Sequence, residues 1–408
     1  MSATASTLGR DVRVIGLVGG AHGFSHFYQM ILPPVFVLLK SEFQVSFTEL
    51  GLLMTMMYAV SGTVQPVSGF LVDRFGARWI LLGGLALLAG STVGYALAGS
   101  YPVMMVLALS AGLGLSVFHP ADMSILTGRV DPSRLGRAYA VHALCGNLGW
   151  AVAPPFIAGI AVLMDWRTAA AAAGAVGLAY VLVMFYWRDD LADEAAPVAG
   201  AATAAADDLA TDLKLLASAP VVLCFCYFTL FAMAIVGVQS FGALSLMELH
   251  DLPFATATAA LTAFLVASAV GVFVGGFAAD RTPKHHLVAI TGSTLASLFM
   301  FGVATVGGVA LAVPALMVLS GFSLGLTTPS RDLIVRKVTP EGKTGRVFGF
   351  VYAGLDLGSL AMPVVLGWLL DRGDPKLVMV VVAVVMLVAV PTVMQVRRRS
   401  PRPAEEAA

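Results

Sequence analysis

The sequence predicts an all-α membrane protein in which twelve transmembrane helices form two pseudo-symmetric six-helix bundles. Three observations carry that expectation. The 408 residues are 58% hydrophobic and 12% charged, with a mean hydropathy of +0.88. Soluble domains run at roughly 45–50% apolar and 25% charged, so most of this chain is built to face lipid. Apolar stretches of about 20 residues or more recur along its length, each able to cross a hydrocarbon core about 30 Å thick as a helix. The second half also repeats the first.

The stretches begin with Arg13–Leu39, Thr48–Val72, Arg78–Ala98, Pro102–Leu126, Arg137–Met164 and Thr168–Trp187. After a gap come Pro220–Met247, Ala255–Ala279, His286–Val306, Leu311–Val335, Gly345–Leu370 and Lys376–Val396. The first is too long, and too rich in Gly and His, for a cleaved signal peptide, so it is read as a helix. Of the 24 Lys and Arg, only Lys40, Arg167, Arg372 and Lys376 fall on one side, and the other 20 lie beside both termini and the loops at Arg74, Arg129, Arg281 and Lys343. The positive-inside rule makes that basic side the cytoplasm, with both termini there. The expected location is a bacterial inner membrane.

Between the two sets of six the chain reads "RDDLADEAAPVAGAATAAADDLATDL", acidic and Ala-rich without a sustained apolar stripe. It is expected to be a weakly structured cytoplasmic linker. The organisation follows: an N-terminal bundle over 1–187, a linker over 188–218, a C-terminal bundle over 219–396 and a tail over 397–408. A shift of 209 positions superposes Gly112 on Gly321, Pro120 on Pro329, Gly136-Arg137 on Gly345-Arg346, Gly149 on Gly358 and Pro154 on Pro363. A shift of 207 superposes Gly69, Asp73 and Arg74 on Gly276, Asp280 and Arg281. Such residues impose backbone geometry or cost free energy in lipid, so their register marks a duplication.

"GFLVDRFGAR", Gly69 to Arg78, resembles the signature between helices 2 and 3 of the major facilitator superfamily, with "GGFAADR" as its echo after helix 8. Within that superfamily "LLKSEFQVSFTELGLL", "QPVSGFLVDRFG" and "SVFHPADMS" resemble the fosmidomycin resistance branch of antibiotic efflux proteins. The chain departs from the branch at His26 and Ala121, where the branch carries acidic residues. The resemblance implies a secondary transporter whose helices 1, 4, 7 and 10 line a central cavity.

The polar residues divide by depth. Gly69, Asp73, Arg74, Arg78 and Arg129, with Asp280, Arg281, Arg331 and Asp332 in the second half, are expected to form a cytoplasmic gate. Its Gly permits close helix approach, and its charges stay in the headgroup layer. Asp122, one turn from the end of helix 4, is assigned to the same gate with Arg74, Arg78 or Arg129, a proton site being the alternative. The deep set is His22, His26 and Gln29 on one face of helix 1, with Gln65, His119, His142, Asn147, Gln239, Tyr352 and Asp356, and is assigned to a substrate and proton cavity. For any single histidine, a neutral hydrogen bond between helices competes with that role. Asp356 sits mid-helix with no Lys or Arg within two turns, and its repeat-mate is Asn147. It is read as half of a midplane site or as a protonated helix–helix hydrogen bond. Pro120 and Pro329 are both expected to kink their helices.

Other chemistry is set aside. Cys145, Cys224 and Cys226 all lie within apolar stretches, so neither a disulfide framework nor a zinc site is expected, and no cofactor or metal is assigned. The net charge of +0 gives no case for nucleic acid. "GFSLG", Gly321 to Gly325, has the pattern of a nucleophile elbow but lies inside an apolar helix, and "GKT" at Gly342 lacks the upstream glycine of a P-loop. No enzyme is expected. The preferred reading is a monomeric, proton-coupled exporter of a small anionic or amphiphilic compound. An uptake symporter or facilitator for a small organic acid, and a non-transporting sensor or scaffold, are the alternatives.

Overall fold

The computed structural model describes residues 2–192, 209–307, 312–340 and 344–399, and all regular structure among them is helical. The first group of helices is α1 (Ser2–Gln29), α2 (Phe36–Phe43), α3 (Phe47–Phe75), α4 (Ala77–Leu97), α5 (Tyr101–Leu115), α6 (Phe118–Arg129), α7 (Leu135–Leu163) and α8 (Trp166–Tyr186). The second is α9 (Leu209–Leu216), α10 (Ala219–His250), α11 (Phe254–Arg281), α12 (His285–Thr305), α13 (Ala312–Val338), α14 (Thr344–Asp371) and α15 (Pro375–Arg399). Among the described residues eleven segments are long and apolar enough to cross a membrane. The twelfth expected span, the first, is divided.

Proline explains that division. A proline ring clashes with the carbonyl four residues earlier and offers no N–H. The residue four before Pro33 is Gln29, where α1 stops; Pro33–Val35 forms a 3-10 turn before α2 begins. Helix 4 breaks by the same logic, since α5 ends at Leu115 and α6 starts at Phe118, so the interruption falls at Ser116, four residues before Pro120. The freed turn is held by the Ser116 hydroxyl, which donates to the Leu113 carbonyl at 2.8 Å. The matching break at Pro329 is absent, for α13 runs through it without interruption. There the helix lies tightly along α11: a Cβ at Gly321 or Gly325 would stand 2.2 or 2.0 Å from the carbonyl oxygens of Phe264 or Ser268. That contact accounts for the small residues of "GFSLG" as packing.

Within the first group α1 packs on α7 and α4 on α8; within the second, α10 packs on α14 and α15, and α13 on α11 and α12. The groups meet through two crossed pairs, α3 with α14 and α7 with α11. Charged contacts segregate by end. Asp11–Arg134, Arg13–Asp190 and Arg78–Asp189 share the end with the basic loops, whereas Lys40–Asp371 and Glu42–Arg167 share the other.

In the first group α1 and α7 touch backbone to backbone. A Cβ at Gly149 would stand 2.0 Å from the Gly23 carbonyl oxygen, so only a hydrogen fits. Gly149→Ala should therefore force the helices apart and lower stability by about 1–3 kcal/mol, read as a drop in the unfolding midpoint of the purified protein. Gly159→Ala, on the same helix with nothing within 4 Å, should leave the midpoint unchanged.

Candidate functional site

Four of the predicted cavity residues converge because glycine lets their helices touch. Where Gly146 of α7 would carry a Cβ, His22 Nε2 and His26 Nδ1 of α1 each lie 2.9 Å away. The His22 ring stacks on His142 of α7 with centroids 3.6 Å apart, and lies 4.4 Å from His26 and 5.4 Å from His119. His26 stacks in turn on Trp150 at 4.2 Å, and the indole N–H donates to Gln29 Oε1 at 3.1 Å. The break before Pro120 carries α6 into this group. His119 is exposed at its edge, while His22 and His142 are buried.

The same helix turn delivers Asp122, and here the structure corrects the sequence. Asp122 does not join Arg74, Arg78 or Arg129. Its carboxylate is wholly buried among the histidines, with Oδ2 2.9 Å from His142 Nε2 and 3.2 Å from His22 Nδ1. Asp122 lies three residues after His119, so both side chains leave one face of α6. A carboxylate buried beside imidazoles has partners that the headgroup layer does not supply. The arginines assigned with it are used elsewhere. Arg129 donates to the carbonyls of Asp189 and Asp190, Arg78 meets the Asp189 carboxylate at 3.3 Å, and Arg13 meets Asp190 at 3.0 Å. They grip the end of α8, so the first residues of the acidic connector are bound to the N-terminal group.

Among the described residues, the remaining gate residues make no bridge between the groups. Gly69 and Gly276 have open space where a Cβ would stand, so the close approach expected there is not made. Arg74 lies over its neighbour Phe75 at 5.4 Å, and Asp280 and Arg281 are exposed. The side chain of Asp73 lies outside the described residues. Arg331 departs further: it is buried, with its guanidinium 4.2 Å over Phe228 and 4.6 Å over Phe231 of α10, and it donates to Asp332 at 3.0 Å. By the internal repeat it occupies the place of Asp122, so the two halves bury opposite charges at one position.

The other cavity candidates scatter. Tyr352 is exposed and 5.1 Å from the Phe228 ring, next to the Arg331 box. Asn147 donates to Ala143 of its own helix, and among the described residues no hydrogen bond joins it to its repeat-mate Asp356. Gln239 is buried with both amide atoms unpartnered among the described residues, and Gln65 is half-buried three residues past Gly62. Asp356 lies against Gly62 of α3, whose Cβ would stand 3.1 Å from the Asp356 Cβ. Among the described residues no ion pair includes it.

That contact is one rung of a ladder. Going toward the end opposite the basic loops, Thr55 donates to the Leu360 carbonyl at 2.7 Å. A Cβ at Gly51 would stand 2.3 Å from the Pro363 carbonyl oxygen. Last, Asp371 accepts from the amides of Phe47 and Thr48 at 2.8 and 2.9 Å and from the Thr48 hydroxyl at 2.6 Å, with Lys40 Nζ at 3.8 Å. Among the described residues, every hydrogen bond and ion pair between the two groups belongs to this set. The sequence reading missed Asp371, which a search for buried polar residues passes over because it sits at a helix end. It also missed Trp150, which reads as ordinary apolar filler.

Two six-helix bundles, joined along crossed helix pairs and closed at one end, are the architecture of a multi-pass membrane transporter. The comparisons give the family. A family model described as the Major Facilitator Superfamily matches residues 18–259 and 240–408, and the chain belongs to that superfamily, which makes it a transporter rather than an enzyme. It is 26% identical over 396 residues to the fosmidomycin resistance protein of Escherichia coli (strain K12), covering 93% of this chain and 92% of that one. It is likewise 26% identical over 379 residues to the MFS-type transporter YfnC of Bacillus subtilis (strain 168), covering 91% and 89%. In fold it is similar to a bacterial homolog of the human lysosomal transporter Spinster in an inward-facing and occupied conformation. That match has a TM-score of 0.77 at 16% identity and spans 96% of this chain and 99% of the other.

Asp371→Ala should loosen the closed end. It removes the acceptor of three hydrogen bonds, each contributing about 0.5–1.5 kcal/mol, so the ratio of closed to open should fall by at least about tenfold. The alkylation rate of Leu360→Cys by an impermeant maleimide, in a chain with Cys145, Cys224 and Cys226 replaced by Ala, should rise accordingly. Asp374→Ala, which alters only the cap of α15 at Leu377, should leave that rate unchanged.

Proposed function

We propose that the protein is a monomeric, proton-coupled exporter of a small anionic or amphiphilic compound, working by alternating access in a bacterial inner membrane with the basic loops and both termini in the cytoplasm. The observation that carries this reading is the α3–α14 ladder with Asp356 at its inner end. With the end opposite the basic loops closed, Asp356 is pressed against Gly62, and among the described residues no ion pair includes it. A carboxylate at the middle of a span costs about 2.5–3.5 kcal/mol on insertion scales, so closure favours the protonated form. When the ladder parts, the contact with Gly62 is lost and water can take the proton. Protonation and conformation are then one equilibrium, which is what coupling requires. Of the helices packed on α14, Gly62 of α3 and the Phe225–Met233 turns of α10 carry no charge, and Arg331 and Asp332 of α13 meet Tyr352, one turn from Asp356.

The direction of transport is supported by the likeness to a fosmidomycin resistance protein and by the basic loops. The compound class is supported by the exposed His119 and by the Arg331 box with Tyr352. The halves that rock are those expected at 1–187 and 219–396, with 188–218 between them.

The test is transport in proteoliposomes under an imposed pH gradient, using fosmidomycin and a panel of small organic anions and phosphonates. The wild-type chain should accumulate at least one of them against its gradient. Asp356→Asn should reduce that accumulation to the level of empty vesicles while retaining counterflow of the same compound. Undiminished accumulation by Asp356→Asn would remove Asp356 from the coupling mechanism.

A further inference from the structure

We propose that His22, Asp122 and His142 form a binding site for a divalent transition-metal ion of the zinc type, enclosed within the N-terminal bundle. The cysteines of this chain give no such site. These donors are two imidazoles and a carboxylate, brought from α1, α6 and α7.

The geometry fits an ion of that size. In a tetrahedral zinc site with bonds of 2.0–2.1 Å, neighbouring donor atoms lie about 3.3 Å apart. Here Asp122 Oδ2 lies 3.2 Å from His22 Nδ1 and 2.9 Å from His142 Nε2, and all three residues offer a donor atom within 4.8 Å of the others. The His22 and His142 rings are stacked 3.6 Å apart, so one of them turns on its side-chain bonds for both lone pairs to meet one ion. Imidazole with carboxylate is a donor set that suits Zn²⁺ and its neighbours among the first-row ions rather than Ca²⁺ or Mg²⁺.

A second observation is independent of the spacing. His22 Nδ1 makes no hydrogen bond although a carboxylate oxygen is 3.2 Å away, because the ring is turned out of line for N–H donation. The other carboxylate oxygen, Asp122 Oδ1, is buried without a donor among the described residues. Buried polar atoms left without partners are costly. An ion inserted between Asp122 Oδ2 and His22 satisfies the His22 Nδ1 by coordination, with a deprotonated Nδ1 pointing its lone pair inward. The His142 contact converts from a hydrogen bond to a ligand by loss of one proton.

The rest of the neighbourhood suits a bound ion. Three protein donors leave a fourth position free, as in zinc sites that exchange ligands. His119, exposed and 5.4 Å from the His22 ring, stands where an ion entering from the accessible side would first be met. Trp150 fixes the His26 ring by stacking, and Gly146 admits both α1 imidazoles.

The experiment uses purified full-length protein in detergent, freed of metal with a chelator. Zn²⁺ is titrated by calorimetry, and Co²⁺ is followed by visible absorption. The wild-type chain should bind one Zn²⁺, and its Co²⁺ form should show the visible bands of a site of low coordination number. His142→Ala and Asp122→Asn should each weaken Zn²⁺ binding by at least tenfold. His250→Ala should not, since that ring lies in the other bundle against the Val303 carbonyl. His142→Cys, which keeps a donor, should still bind and should shift the Co²⁺ spectrum. Absence of Zn²⁺ binding by the wild type, or equal affinity across the wild type, His142→Ala and Asp122→Asn, would overturn the proposal. Should neither variant be recovered folded, absence of the visible bands from the wild-type Co²⁺ complex would do so alone. None of these readouts depends on transport.

Discussion

Van der Waals contact between the backbones of α1 and α7 is the constraint on which the chemistry of the N-terminal bundle depends. With Gly23 and Gly149 in place the two helices come near enough for His22 and His142 to stack face to face. A side chain at either glycine would separate the helices, and the imidazoles would then belong to two unrelated surfaces. Lipid offers no hydrophobic force to press helices together, so packing of small residues is what brings them into contact. The polar cluster is thus a consequence of what those positions lack.

The two bundles use the same template to opposite electrostatic effect. At one repeat position the first buries a carboxylate among imidazoles, and the second buries a guanidinium between phenyl rings. Each solution suits its charge, since a carboxylate needs donors and a planar cation accepts aromatic faces. Duplication preserved the backbone and released the side chains. The proline was kept in both copies, yet it divides the first helix at α6 and leaves α13 continuous.

The fold was legible because it follows from composition, the length of apolar stretches and a repeat in register, all one-dimensional properties. The convergence of His22, His26, His119 and His142 was legible in part, since helical spacing put the first two on one face. Depth along a helix axis is a poor guide to the partners of Asp122. Its azimuth, three residues from His119, is the better one. The grip of Arg13, Arg78 and Arg129 on the end of α8 was not readable, because it depends on which of several basic residues the tertiary structure brings to one helix end. Asp371 was hidden for a related reason: at a helix terminus a carboxylate carries no sign of being buried or bonded across an interface.

Ser46 and Glu49 form a capping box at the start of α3, so that helix has a complete cap of its own. Asp371 adds to it from the opposite bundle by taking the amides of Phe47 and Thr48. When the bundles separate there, those two amides pass to water at a position already near solvent, and α3 neither frays nor strands a donor in lipid. The fastening is therefore exchangeable with solvent, so its net free energy is small in either state. A carrier that must visit both faces in every cycle needs a latch of that kind, since a deeper one would hold it in a single conformation.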